Sequence, residues 1–199
     1  MQLEKQFFQA NPLNEHSVAY VTFLRMEMLR GKEFSVENDP LASAVFLERS
    51  EAEQEEIRQE ILKVEELNDP ADLVNILRKT GEMWYLDVIW RKIIEDQEHT
   101  MPLLLKRFTT SGQEQFLESA AVVLTHAEEP YIRQLWDLYP ELRHPTAKAD
   151  ACLVFASRRN PKDQEFFLAE YERMMRTEGP DFAQAPLIGL YAISGRLDG

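Results

Sequence analysis

Residues 129–160 read EPYIRQLWDLYPELRHPTAKADACLVFASRRN and contain one complete helix–turn–helix unit. The first half carries apolar side chains at the 0, 3, 4, 7 spacing that places one stripe along an α-helix: Ile132, Leu135, Trp136 and Tyr139. After a break that contains Pro140 and Pro145, a second helical stripe follows: Ala151, Val154 and Phe155. The stretch therefore predicts two consecutive helices joined by a turn.

The same unit recurs on both sides of this stretch. First-helix stripes begin at Leu73, Met101, Ile132 and Gln164. Second-helix stripes begin at Leu86, Ala120, Ala151 and Leu187. Residues that interrupt helices separate the two helices of each unit: Gly81, Ser111-Gly112, Pro140 with Pro145, and Gly179-Pro180. A helix pair that recurs every ~30–35 residues is typical of helical repeat proteins, in which neighbouring pairs share one core. No alternating polar and apolar run competes as a strand, so the sequence predicts an all-α chain.

One segment of the repeat resembles a known superfamily. The run from His144 to Ala151, HPTAKADA, leads into Asn160-Pro161 and resembles the second helix of a HEAT unit followed by the short turn into the next unit. The resemblance covers residues 69–197 and implies a right-handed α-α superhelix, or solenoid, of about four HEAT-like pairs. A long turn at Thr177–Ala183 departs from the usual pattern. The tetratricopeptide repeat fits less well, because the unit lacks its Trp/Gly/Tyr spacing and its tighter period.

Residues 1–68 fit the repeat poorly, and we expect them to form a helical cap on the solenoid of residues 69–199. One apolar stripe in this region predicts a helix that ends at Gly31: Val18, Val21, Leu24 and Met28. Asp39-Pro40 starts another helix, and Ser50 with Glu53 forms a capping box for a third.

The charge of the chain excludes several classes of partner. Its 199 residues include 22 basic and 35 acidic side chains, a formal net charge of −13. Binding to nucleic acid or to anionic lipid requires clustered lysine and arginine, so neither partner is expected. One cysteine allows no internal disulfide, and no signal segment or membrane-length apolar run is present. We therefore expect a cytoplasmic protein.

The acidic residues are concentrated between Glu48 and Asp69. This segment contains nine acidic residues and only three basic ones, Arg49, Arg58 and Lys63. One interpretation is the solvated face of a helix. The other is an acidic surface that binds a basic partner.

No constellation of residues predicts catalysis. The phosphate-binding glycine loops and the Gly-x-Ser-x-Gly nucleophile elbow are missing from the sequence, and the four histidines share no metal-binding spacing. The pairs Asp96/His99 and Glu141/His144 are interpreted as polar residues at helix ends, and Cys152 as a small core residue. The sequence therefore predicts a protein that is not an enzyme, with no cofactor and no metal.

The second helices carry the most informative pattern, because three of them are apolar on the face opposite their stripe as well. Either this face is an exposed groove or it is covered by the N-terminal cap, a second copy of the chain or a partner. We expect binding of a protein or peptide centred on Val122, Leu153, Ile188 and Ile193, with Trp84, Tyr85, Arg91 and Arg158 at its margins.

Two functions are consistent with these features. The first is a non-catalytic interaction or scaffold module that binds through the second helices, with a homodimer possible. The alternative is an acidic inhibitor or immunity-type protein that blocks a basic partner through residues 48–69.

Overall fold

The computed structural model describes residues 5–79 and 82–197, and in these ranges the chain is helical without any strand. Thr80 and Gly81, at the predicted break in the first helix pair, lie outside the described residues. The helices of the N-terminal region are α1 (Lys5–Ala10), α2 (Val18–Leu29), α3 (Pro40–Leu47) and α4 (Glu51–Glu65). The predicted repeat contains α5 (Pro70–Leu77), α6 (Met83–Glu95), α7 (Gln97–Thr110), α8 (Glu114–Leu124), α9 (Glu129–Leu138), α10 (Pro145–Ser157), α11 (Gln164–Thr177) and α12 (Pro180–Ile193). The all-α prediction is confirmed, and a helix is present at each of the eight predicted apolar stripes.

Local sequence signals account for where these helices begin. Asp69 accepts hydrogen bonds from the backbone N–H groups of Ala71 (2.9 Å) and Asp72 (3.1 Å), with Pro70 in the first turn. Ser50 and Glu53 form the predicted capping box at the start of α4. These caps satisfy N–H groups that would otherwise lack a partner at the ends of the helices.

The helices of neighbouring pairs pack against each other in chain order. Helix α6 contacts α8, α8 contacts α10, and α10 contacts α12, while α5 contacts α7 and α7 contacts α9. Helices α11 and α12 pack closely where Gly189 lies against the ring of Phe167. The long turn predicted at Thr177–Ala183 is shorter in the structure, because α12 already begins at Pro180.

The N-terminal helices pack on the second helices of the pairs. Helix α2 contacts α8, α10 and α12, while α3 and α4 contact α6. A single cluster of buried apolar side chains extends from Phe8 in α1 to Ala192 in α12. The cap and the helix pairs therefore share one core.

The orientation of α2 differs from the prediction. The predicted stripe of Val18, Val21, Leu24 and Met28 is exposed, and the buried face is formed by the other residues: Thr22, Phe23, Met26 and Leu29. Periodicity could not choose between the two faces, because α2 is apolar nearly all round.

None of the helices in residues 5–79 and 82–197 combines the length and the hydropathy that crossing a bilayer requires.

Candidate functional site

The apolar face of the second helices is buried in this structure. Val122 in α8, Leu153 in α10 and Ile188 in α12 are at most 1% exposed, and Ile193 is half-buried at the end of α12. Helix α2 lies across all three helices. Hydrogen bonds to each of the three second helices, or to the turns beside them, hold α2 and its flanking residues on this face.

Two hydrogen-bonding contacts to α2 flank the position of Val122, one from α8 and one from the turn just after it. The Thr22 hydroxyl donates to the Glu118 carboxylate (3.0 Å), and Nε2 of His126 lies 3.0 Å from the carbonyl oxygen of Leu29. Glu118 and Val122 are four residues apart and so share one face of α8, and His126 follows in the turn just after the helix. Val122 therefore lies beneath α2.

The same arrangement holds on the next two second helices. Arg30 donates to the carbonyl oxygen of Ser157, which lies four residues after Leu153 on α10. On α12, Gln184 lies four residues before Ile188 and accepts a backbone hydrogen bond (2.8 Å) from the segment that precedes α2. The apolar face of the second helices is therefore covered by the N-terminal cap, and in this structure neither a second copy of the chain nor a partner is needed to bury it. These core side chains leave no accessible surface for a partner.

The predicted margin residues separate into two groups. Trp84, Tyr85 and Arg91 all lie on α6 along its contact with α4: Trp84 is buried, and Arg91 pairs with Glu65 of α4 and with Glu95 (3.2 Å). Arg158 is elsewhere, at the end of α10, where it donates to the carbonyl oxygen of Ala127 (2.8 Å) just after α8. Arg158 therefore contributes to the packing of α10 against the end of α8. The surface beside the α4–α6 contact, in contrast, is accessible to solvent.

A groove of ≈ 690 Å³ opens beside this contact, between α3, α4 and α6. Its apolar lining comes from all three helices and from the loop before α3: Phe34, Val36, Phe46, Leu47, Ile61, Leu62 and Val88. Leu47 and Leu62 are 70% and 55% exposed, although both are large aliphatic side chains. Exposed apolar surface of this kind on a folded protein is typical of an interaction site.

The helix that borders the groove is strongly acidic. Helix α4 contains six glutamates against Arg58 and Lys63, and five of the six are exposed. Several are offset by ion pairs, such as Arg58 with Glu55 (3.2 Å). Within the ranges that the structure describes, the remaining acids of this region are in no ion pair: Glu48, Glu51, Glu56 and Glu66. An apolar groove next to uncompensated negative charge is complementary to an apolar surface flanked by lysine or arginine.

Sequence reasoning missed the groove, although it predicted that the acidic run between Glu48 and Asp69 could be a binding surface. The run PLASAVFL from Pro40 to Leu47 is apolar on every face, which indicates contacts on more than one side of α3. The acidic run of α4 was noted as a surface for a basic partner. That α3 and α4 both pack on α6 depends on tertiary contacts that local periodicity does not contain.

A second unexpected feature is Asp87 on α6, because the sequence pattern places it on the face opposite the apolar stripe of that helix. The side chain is fully buried beside the Asp39 carboxylate, to which a protonated Asp87 can donate a hydrogen bond. Burial, together with the nearby Asp39 carboxylate, raises the pKa of Asp87 to about 9, so the group is neutral at pH 7. Asp39 itself accepts from Arg25 (2.8 Å).

The surroundings of the other candidate reactive groups, Cys152 and the Asp96/His99 pair, are those of ordinary core and surface residues. Burial raises the pKa of the Cys152 thiol to about 12, which makes the reactive thiolate scarce at neutral pH. His99 is exposed and lies 2.7 Å from the Asp96 carboxylate, which raises the pKa of the imidazole. Among the described residues, no group of three or more metal-ligating side chains comes together.

Comparison of the chain with protein-family models, with curated proteins and with solved structures finds no match.

Proposed function

We propose that this protein is a non-catalytic interaction module built of HEAT-like helix pairs, and that its α3/α4/α6 groove binds a basic amphipathic helix of another protein. The groove is the observation that carries the proposal, because it combines exposed leucines with an acidic border. The chain-order packing of α6, α8, α10 and α12 supports the superhelical arrangement of the pairs.

The shape of the groove favours a helical ligand. A partner helix would place apolar side chains at i, i+3, i+4 and i+7 against Leu47, Phe46 and Leu62. Its lysines or arginines would face the acids of α4, which contribute to the association rate and to the choice of partner. Arg91, which the sequence placed at the margin of the second-helix face, lines this groove instead, and Trp84 and Tyr85 line a smaller depression on the other side of α4.

Synthetic peptides test the proposal by fluorescence anisotropy. The probe is a labelled Leu/Lys amphipathic helix, compared with a scrambled peptide of the same composition and with a Leu/Glu peptide of the same apolar pattern. We expect only the Leu/Lys helix to bind, and its affinity to fall as salt rises because exposed charges are screened.

Two substitutions locate the site. Leu62→Ser should weaken binding of the Leu/Lys helix by about tenfold, the equivalent of 1.4 kcal/mol. Met175→Ser, at an exposed position on α11, is the control and should leave binding unchanged. Equal effects of the two substitutions would contradict binding in the groove.

The alternative function is an acidic inhibitor or immunity-type protein that blocks a basic site through residues 48–69 alone. The exposed glutamates of α4 favour it. In that case the scrambled basic peptide should bind as well as the amphipathic one, and Glu56→Gln should weaken binding more than Leu62→Ser does.

A further inference from the structure

A pocket of ≈ 900 Å³ lies where two turns of the fold meet, one after α7 and one before α10. It shares no lining residue with the α3/α4/α6 groove. Its lining is largely polar and includes side chains from both turns: Thr109, Thr110, Ser111, Glu141, Arg143 and His144. A cavity of this volume has room for a small molecule, and its lining predicts a polar one.

The local charge at this pocket is opposite to that of the whole molecule. A smaller cavity of ≈ 330 Å³ adjoins it, shares Thr110 in its lining and is also lined by Lys106 and Arg107. Among the described residues, Glu141 is the one acid that lines either cavity, against these two cations and Arg143. The chain as a whole has a net charge of −13. A local excess of positive charge in an acidic protein attracts anionic ligands.

These cations have no acidic partner, although the chain contains 35 acidic residues. In the ranges that the structure describes, the Lys106 ammonium and the Arg143 guanidinium make neither an ion pair nor a hydrogen bond, and Arg107 donates to the Asn75 amide oxygen (2.9 Å). Helices α2, α4, α6 and α11, in contrast, all contain arginines that pair with carboxylates. The cations beside the pocket are therefore available to an anion from outside the molecule.

The two turns also contain hydrogen-bond donors that are not used within the protein. The Ser111 hydroxyl accepts from the N–H of Gln113 (3.1 Å), but its own proton has no acceptor in the described part of the chain. The side chain of His144, the N-cap residue of α10, makes no hydrogen bond to the first N–H groups of that helix. An excess of donors beside the positive end of a helix suits an anion with several oxygen atoms.

We propose that this pocket binds the phosphate group of a small phosphorylated molecule, with Arg143 and Ser111 as its principal donors. A phosphate monoester carries about −1.5 to −2 charges at neutral pH and three strongly accepting oxygens, whereas a carboxylate carries one charge and two oxygens. The planar guanidinium of arginine matches phosphate through paired hydrogen bonds. Glu141 repels a second anionic group and accepts from hydroxyls, so the rest of the ligand should carry hydroxyl groups.

Isothermal titration calorimetry of the full chain at constant ionic strength tests the proposal, with glycerol 3-phosphate as the probe. We expect a dissociation constant below ~1 mM for this probe, and affinities at least about threefold weaker for inorganic phosphate, which lacks the hydroxyls, and about tenfold weaker for glycerate, which has a carboxylate instead of the phosphate. Glycerol should give no binding heat.

Two substitutions locate the site. Arg143→Gln should weaken binding of glycerol 3-phosphate by about tenfold and Ser111→Ala by about threefold, since hydrogen bonds to a charged group are the stronger ones. Arg133→Gln is the matched control, because Arg133 is also an exposed arginine, lies on α9 outside the lining of the pocket, and changes the net charge by the same amount. It should bind the probe like the unmodified chain.

Three results would overturn the proposal. The first is no binding heat with glycerol 3-phosphate at millimolar concentrations. The second is glycerate that binds as tightly as glycerol 3-phosphate, because the pocket would then not select phosphate. The third is an equal loss of affinity in Arg143→Gln and Arg133→Gln, because the effect would then come from the net charge and not from this pocket. Circular dichroism spectra of the variants confirm that each is folded before it is titrated.

Discussion

Asp87 shows how a single buried carboxyl group sets the pH dependence of stability. Its pKa is about 9 in the folded chain, against ~3.9 for an unperturbed aspartate. Between these values the folded state holds a proton that the unfolded state lacks, so the free energy of unfolding falls as pH rises through this window. The stability contributed by the neutral carboxyl is complete below pH ~4 and is lost as pH approaches 9.

We predict that Asp87→Asn stabilises the protein at pH 8, by about 1–3 kcal/mol, because the neutral amide needs no proton uptake. The gain should shrink towards pH 5, and urea unfolding at the two pH values measures it. Asp137→Asn, at an exposed position on α9, is the control. A variant that unfolds at lower urea than the original chain at pH 8 would contradict this account.

Leu153 tests at the same scale whether the face beneath α2 is core. We predict that Leu153→Asp lowers the free energy of unfolding by more than about 4 kcal/mol, because the new carboxylate is buried without a partner. Leu47→Asp, at a mostly exposed position, should change it by less than ~0.5 kcal/mol. Cooperative thermal unfolding of both variants near the original midpoint would show that the face is open to water.

At the scale of helices, the sequence predicts a helix correctly where its capping residues and its apolar spacing indicate the same segment. Caps such as Asp69 and stripes such as Ile132 to Tyr139 define helices without reference to the rest of the chain, and those helices are found as predicted. The buried face of α2 could not be predicted, since both of its faces are apolar. The burial of Asp87 could not be predicted either, because it depends on α3 bringing Asp39 against α6.

The contact between α11 and α12 gives a prediction that reverses the usual helix preference. Gly189 is inside α12, where alanine would normally favour the helix by about 1 kcal/mol. A Cβ at this position would lie 2.5 Å from Cδ1 of the buried Phe167 ring. We therefore predict that Gly189→Ala lowers the free energy of unfolding by about 1–3 kcal/mol.

Urea unfolding measures this loss, and a double variant tests its cause. Adding Phe167→Leu to Gly189→Ala should recover part of the stability, because the smaller side chain leaves room for the new methyl group. An alanine variant more stable than the original chain would mean that α11 and α12 are not in such close contact.

At the scale of the whole molecule, the cap is a structural part of the helix pairs and not an appendage. Removing residues 1–30 would uncover the apolar face that contains Val122, Leu153 and Ile188. We predict that this truncated chain binds the dye ANS and loses cooperative unfolding, as loosely packed states do. A monomeric truncated chain that unfolds cooperatively without binding dye would show that the pairs form a complete core without the cap.

The contacts between α1 and α12 have a consequence for biosynthesis. The Tyr191 hydroxyl donates to the carbonyl oxygens of Phe8 (3.1 Å) and Asn11 (3.0 Å), so a segment that is synthesised early packs on a helix that is synthesised more than 150 residues later. At 5–20 residues per second, the nascent chain spends roughly 10–30 s with α2 unable to dock on α12. Both apolar faces of α2 are exposed to solvent or to a chaperone during that interval. The yield of folded protein should therefore depend on translation speed and chaperone supply more steeply than the stability of the finished fold would indicate.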